Sequence, residues 1–195
     1  NAVLFLDELD AVAKMRDDRA ELGELKRVVN TVIQGIDSLD ASVVLIAATN
    51  HPQMLDTAIW RRFHYKINFP LPDLDLRTEL WSYFLNFGPE QNLACRMLAA
   101  LSDGHSGADL EQSAFAARRH AVLASQPIDA IAIAASLTLQ ELPEDRISPR
   151  SQKSTNDARR RITRELVLKH NISQADVGRF LGVTRQAIST YLKVS

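Results

Sequence analysis

The residues AVLFL at positions 2–6 form an apolar run with no polar break, and the run stops at two adjacent carboxylates, Asp7 and Glu8. A short apolar stretch ended so abruptly predicts a strand buried on both faces, as in a parallel sheet. A second such run, SVVLIAA at 42–48, ends in Thr49-Asn50. Between the two, Leu22, Leu25, Val29, Val32, Ile33 and Ile36 recur at helical spacing and predict a helix over 21–36. Residues 55–60 read as a short helix and Tyr65–Phe69 as a third strand. Strand, helix, strand in this rhythm implies an α/β fold, a parallel sheet covered by helices.

After Pro70 and Pro72 only helical patterning remains, at roughly 73–87, 90–102, 107–125 and 128–141. Ser106 is placed to cap the third of these, with Asp109 in its first turn. The stretch PEDRISPRSQKST at 143–155 is polar and carries prolines, which predicts a linker, and a last helical cluster fills 157–194. The expected division is therefore a core over 1–72, an all-helical domain over 73–142, a linker over 143–156 and a terminal helical unit over 157–195.

Composition removes several classes. The only cysteine is Cys95, which excludes an internal disulfide framework and a cysteine-based metal site. The five histidines have no metal-ligand spacing. No apolar run approaches the ~18 residues of a membrane span, and no basic-then-apolar leader is present, so the expected location is cytoplasmic. The chain opens at Asn1 and runs directly into a strand, which reads as a fragment of a longer protein. The net charge of −1 conceals a polarity: residues 150–195 hold 10 Lys+Arg against 3 Asp+Glu, a net +7 on a body of −8. A basic tail on an acidic body fits contact with a polyanion, or a solvated basic end.

The carboxylates sit where chemistry is expected, because ligands of α/β sheets bind beyond the C-terminal ends of strands. Asp7 suits Mg²⁺, which prefers carboxylate oxygens and retained waters. Glu8 suits a general base for an attacking water. Asn50, after the second strand, offers a neutral amide to orient that water. Arg61-Arg62, after the short helix, suits a transferring phosphoryl group. The same residues also fit plainer roles: helix-start carboxylates, a turn asparagine and a surface arginine pair.

Their order and spacing resemble the AAA branch of the AAA+ ATPase family. LFLDELDAVAKMRDD is similar to its Walker B motif. VVLIAATNHPQMLDTAIWRRFHYKINFPLPD is similar to the sensor 1 region through the arginine-finger motif, and HSGADLEQSAFAARRHAV to the lid motif. The resemblance covers about residues 1–142 and implies the C-terminal half of a P-loop NTPase sheet followed by an all-α lid. It further implies that ATP and Mg²⁺ are the cofactors, with Asp7 on the metal, Glu8 the catalytic base and Asn50 the sensor 1 residue. Arg62 would be an arginine finger reaching a neighbouring subunit, with Arg61 its companion, and Gly107 and Ala108 would approach adenine and ribose. Family members usually form homo-oligomeric rings, often hexamers, that remodel proteins or nucleoprotein assemblies. Three departures stand out. The two arginines are adjacent rather than separated by Pro-Gly. Phe84 takes the place of a lid histidine. No G-x-x-x-x-G-K-[ST] loop occurs in the chain. That loop is expected N-terminal to Asn1, and the chain as given is expected not to bind ATP tightly.

The segment NISQADVGRFLGVTRQAISTYLK resembles the helix-turn-helix of bacterial regulators. Val177, Leu181, Val183, Ile188 and Tyr191 or Leu192 would form its core. Ser173 and Thr184 would cap its helices, Gly178 would allow close approach, and Gly182 would make the turn. A preceding helix over Arg159–Lys169 would contribute Ile162, Leu166 and Val167. The resemblance implies duplex DNA as a partner, with Thr184, Arg185, Gln186, Ser189 and Lys193 as contacts and Arg159, Arg160 and Arg161 serving phosphates. The leading expectation is ATP hydrolysis coupled to remodelling of a protein or nucleoprotein target, tethered to DNA. The alternatives are a non-enzymatic DNA-binding regulator with a decayed ATPase body, and a remodeller whose tail binds only protein.

Overall fold

The computed structural model describes residues 2–14, 22–139 and 152–193, with side chains described over 2–11, 27–139 and 156–193. The expected linker lies mostly outside these residues. Its last residues, 152–156, already belong to a helix. The chain divides into two compact units, residues 1–68 and 69–195.

In the first unit, strands β1 (Ala2–Leu6) and β2 (Val43–Ala47) pair in parallel with Leu6 opposite Ala47. Helices α1 (Leu9–Lys14) and α2 (Leu22–Asp37) lie between them in sequence, and α3 (Thr57–Trp60) follows. Asp56 caps α3 by accepting the Ala58 N–H at 2.7 Å. The core is small: Leu9, Val29, Leu55 and Ile59, with Leu6, Ile33, Ala47, Trp60 and Phe63 packed on it.

Two expectations differ from the structure here. The strands are not covered on both faces, since Phe5 is 56% exposed and Val44 56% exposed. Along β2, half-buried residues alternate with exposed ones. Tyr65–Phe69 is not part of a strand, which would require a hydrogen-bonded neighbour. The short helix α1 begins directly after Glu8, which fits the plainer role of Asp7-Glu8 as helix-start carboxylates.

The second unit is helical: α4 (Leu74–Leu85), α5 (Asn92–Leu101), α6 (Gly107–Ala124), α7 (Ala130–Leu139), α8 (Gln152–Arg164), α9 (Gln174–Leu181) and α10 (Arg185–Lys193), with a π-helical turn at Glu165–Lys169 extending α8. Asp73 caps α4, and Ser106 with Asp109 forms a reciprocal capping box on α6. Buried Arg77 ties this unit together. Its guanidinium donates to the carbonyls of Ala99 at 2.8 Å and Pro72 at 2.7 Å, and pairs with Asp103 at 3.0 Å. Trp81 is fully buried and its indole N–H donates to the Ser102 hydroxyl at 3.0 Å. One hydrophobic cluster runs from Trp81 and Leu98 through Ile133 to Ile162, Leu166, Val177, Leu181 and Ile188.

α9 and α10 meet at a tight turn. Gly182 has φ +64, and a Cβ at Gly178 would stand 3.0 Å from the Val183 carbonyl oxygen. Val177, Leu181 and Ile188 are buried, with Val183, Tyr191 and Leu192 packed beside them.

Candidate active site

The parallel register brings the exits of β1 and β2 side by side. Beyond the strands the backbone stays stitched: the Ala48 N–H donates to the Leu6 carbonyl at 2.9 Å, and the Leu9 N–H to the Ala48 carbonyl at 3.0 Å. Asp7 and Glu8 are thereby held beside Ala48, Thr49 and Asn50. Asp7, Glu8 and Asn50 are all exposed. Glu8 adopts φ +50, a left-handed conformation unusual for a non-glycine residue, of a kind that clusters at functional sites and costs on the order of 1–3 kcal/mol. Its N–H is taken by Asp7 Oδ1 at 2.9 Å.

A buried support underlies these groups. Asp10, 6% exposed, accepts the Thr49 hydroxyl at 2.9 Å, and Thr49 Oγ1 accepts the His51 N–H at 3.0 Å. This bridge ties the start of α1 to the turn that carries Asn50. Sequence reasoning missed it, although the third carboxylate in DELD was the available signal.

The donor set fits Mg²⁺. Among the described residues no cluster of three or more His, Cys, Asp or Glu could enclose a metal. A single carboxylate with one oxygen accepting the Glu8 N–H suits an ion that keeps most of its waters and takes phosphate oxygens.

The arginine pair divides. Arg62 makes a two-pronged contact with Asp37 at the end of α2, Nε to Oδ1 at 3.1 Å and Nη2 to Oδ2 at 2.8 Å, and its Nη1 donates to the Ala58 carbonyl at 2.9 Å. That hydrogen bond holds the Asp37 carboxyl below its ordinary range and raises the Arg62 guanidinium. Arg61 is exposed, and its side chain has no hydrogen bond or ion pair among the described residues. Neither arginine is bonded to Asp7, Glu8 or Asn50.

Gly107 and Ala108 form the first turn of α6, beside the Ser106–Asp109 cap. Phe84 packs edge-on against Phe115, ring centroids 6.4 Å apart, and its carbonyl accepts from Arg118 at 3.2 Å.

Residues 1–71 match the model of the ATPase family associated with various cellular activities (AAA). That match spans 71 of the chain's 195 residues. The AAA relatives include an uncharacterized AAA family ATPase, y4kL, of Sinorhizobium fredii, 39% identical over 115 residues, covering 56% of this chain and 33% of the relative. A proteasome-activating nucleotidase of Saccharolobus islandicus is 37% identical over 118 residues, covering 56% and 30%. The chain thus spans about a third of the length of these curated relatives. Among solved structures, the FIGL-1 AAA domain in complex with ADP superposes with a TM-score of 0.55 at 22% identity, covering 73% of this chain and 52% of that one. That likeness supports the AAA fold, a P-loop type α/β core with a helical lid.

The tail residues singled out for DNA fall into two groups. Arg185, Gln186, Thr184 and Lys193 are exposed. Thr184 Oγ1 accepts the Ala187 N–H at 3.3 Å and so caps α10. Ser189 is half-buried and donates to Gln174 Oε1 at 3.5 Å. On α8, Arg161 is exposed, whereas Arg159 and Arg160 are half-buried and each has a buried Nε without a partner. No described helix is long and apolar enough to cross a membrane.

Proposed function

We propose that this chain supplies the hydrolysis machinery and lid of an AAA ATPase that remodels a protein or nucleoprotein target. The observation that carries this reading is the pair Asp7-Glu8, fixed by the strand register beside Asn50. Asp7 would hold Mg²⁺ through its carboxylate. Mg²⁺, when bound, supplies charge neutralisation on the phosphates. Glu8 takes the proton of the attacking water, and the Asn50 amide orients that water without adding negative charge. Gly107 and Ala108 approach the base and ribose. An arginine from a neighbouring subunit in a ring stabilises the transferring phosphoryl group. Arg61 is the member of the pair free to do so, while Arg62 is engaged by Asp37. α9 and α10 act as a helix-turn-helix that tethers the ring to duplex DNA, with Arg185, Gln186 and Lys193 presented outward. The exposure of these side chains on a basic tail favours DNA over a purely proteinaceous contact.

Glu8→Gln in the full-length protein tests the chemistry. It is expected to leave nucleotide binding intact and to slow hydrolysis by ~10²–10⁴-fold, because it removes the base and spares Asp7. Near-normal steady-state turnover of this variant would remove Glu8 from the mechanism.

A further inference from the structure

α5 is buried around most of its circumference: Cys95, Met97, Leu98, Ala99 and Ala100 are each at most 3% exposed. A helix wrapped in this way serves more than one neighbour. α4 and α7 pack on it, and so do α9 and the π-helical turn of the tail. The same apolar cluster includes residues of both sets of helices, from Trp81 and Leu98 to Val177, Leu181 and Ile188.

Charge complementarity follows the same boundary. Asp176, at the start of α9, is held below the ordinary carboxylate range first by the Ser173 hydroxyl and by Arg179, with Arg96 of α5 adding to them. Lys169 is raised first by Glu165, with Asp103 adding. Asp103 lies in the turn between α5 and α6, is paired with Arg77, and stands three residues before Ser106, the cap of the helix that opens with Gly107. The tail therefore packs against α5, whose following turn leads into the lid residues assigned to the nucleotide.

We propose that the lid and the basic trihelical tail form a single cooperative body, with α5 as the shared hub, so that duplex DNA held on α10 and nucleotide held by the lid are thermodynamically linked. This rests on the ATP and DNA readings above. The body itself can be tested without either ligand. Linkage is reciprocal: if DNA changes nucleotide affinity by some factor, nucleotide changes DNA affinity by the same factor.

Hydrogen exchange read by mass spectrometry on the full-length protein provides the test. Val177→Ala removes buried methyl groups from α9. Amides of α4 and α5 are expected to exchange faster together with those of α8–α10, by on the order of tenfold, as one opening unit. Acceleration confined to residues 152–193 overturns the single body. Arg96→Glu, a substitution at an exposed position that places like charge near Asp176, is expected to raise exchange in both sets of helices to a smaller, salt-sensitive degree. A change restricted to α5 also counts against the proposal. With a random-sequence duplex added, protection is expected to spread from α8–α10 into α4 and α5. Protection limited to the tail overturns the linkage. Failure of the duplex to bind at low salt overturns the linkage together with the DNA reading, while the Val177→Ala result still judges the single body.

Discussion

Arg62 and Arg61 are adjacent in sequence and opposite in circumstance. Arg62 is clamped by Asp37 in a planar two-pronged contact, and Arg61 projects without a partner among the described residues. Arg61→Ala is therefore expected to remove trans stabilisation of the phosphoryl group, a loss of ~10³–10⁵ in rate. Arg62→Ala and Asp37→Ala are expected to share a milder phenotype, since both release the end of α2 from the residues after α3. Mixing Arg61→Ala subunits with Glu8→Gln subunits should restore activity at interfaces that join an intact finger to an intact base. A larger loss for Arg62→Ala than for Asp37→Ala would return the finger to Arg62. The clamp has a pH signature of known sign. Because the folded carboxyl of Asp37 titrates below its unfolded value, its contribution is present above the ordinary carboxylate range and disappears as pH falls through the folded value. The pair is exposed and screened by salt, so the effect is small.

At the scale of elements, glycines separate positions where space is absent from positions where it is free. Gly178→Val would drive a Cβ to 3.0 Å from the Val183 carbonyl, and overpacking of this kind costs about 1–3 kcal/mol. Gly182→Val forces a β-branched residue into φ +64, at about 1–2 kcal/mol. Gly35, within α2, has open space where a Cβ would stand, and Gly35→Ala is expected to stabilise by about 0.5–1 kcal/mol. Urea unfolding of the full chain gives all three signs. The glycines also show why some elements were legible and others were not. α9 and α10 could be read because cap, apolar spacing and turn glycine all agree locally: Ser173, Val177 and Leu181, then Gly182. β1 and β2 were legible as strands, but their expected burial was not met, because apolar content does not specify which faces other elements cover. Tyr65–Phe69 has the composition of a strand, yet ladder formation depends on a neighbour that composition does not encode. In the candidate site, Asp7, Glu8 and Asn50 were legible from their places after apolar runs. The Asp10–Thr49 bridge and the Asp37–Arg62 clamp were not, since each joins residues 25 or more positions apart.

On the scale of the whole molecule, charge is segregated: the last 46 residues carry +7 and the rest −8. A uniform surface would give weak and unoriented attraction to a polyanion, whereas this distribution aims one end at it. Binding of the full-length protein to duplex DNA is accordingly expected to weaken steeply with salt, because every phosphate contact releases counterions. A single recognition helix makes few contacts, so a ring that presents several tails gains ~10²–10⁴ in avidity over one tail. The structure sharpens which substitutions separate reading from attraction. Arg185 and Gln186 are exposed at the start of α10, and replacing both with Ala should reduce discrimination between sequences. Arg161 and Arg164 are exposed on α8, and their replacement should weaken binding to all duplexes about equally and lower the salt slope. Arg159 and Arg160 are poor choices for this comparison, because their half-buried stems pack within the tail and their loss would disturb its fold as well as its charge. Fluorescence anisotropy over a salt series, with one selected and one random duplex, distinguishes the two classes. Equal loss of discrimination from both pairs, or no binding by the full-length protein at low salt, would reassign α10 to a protein partner.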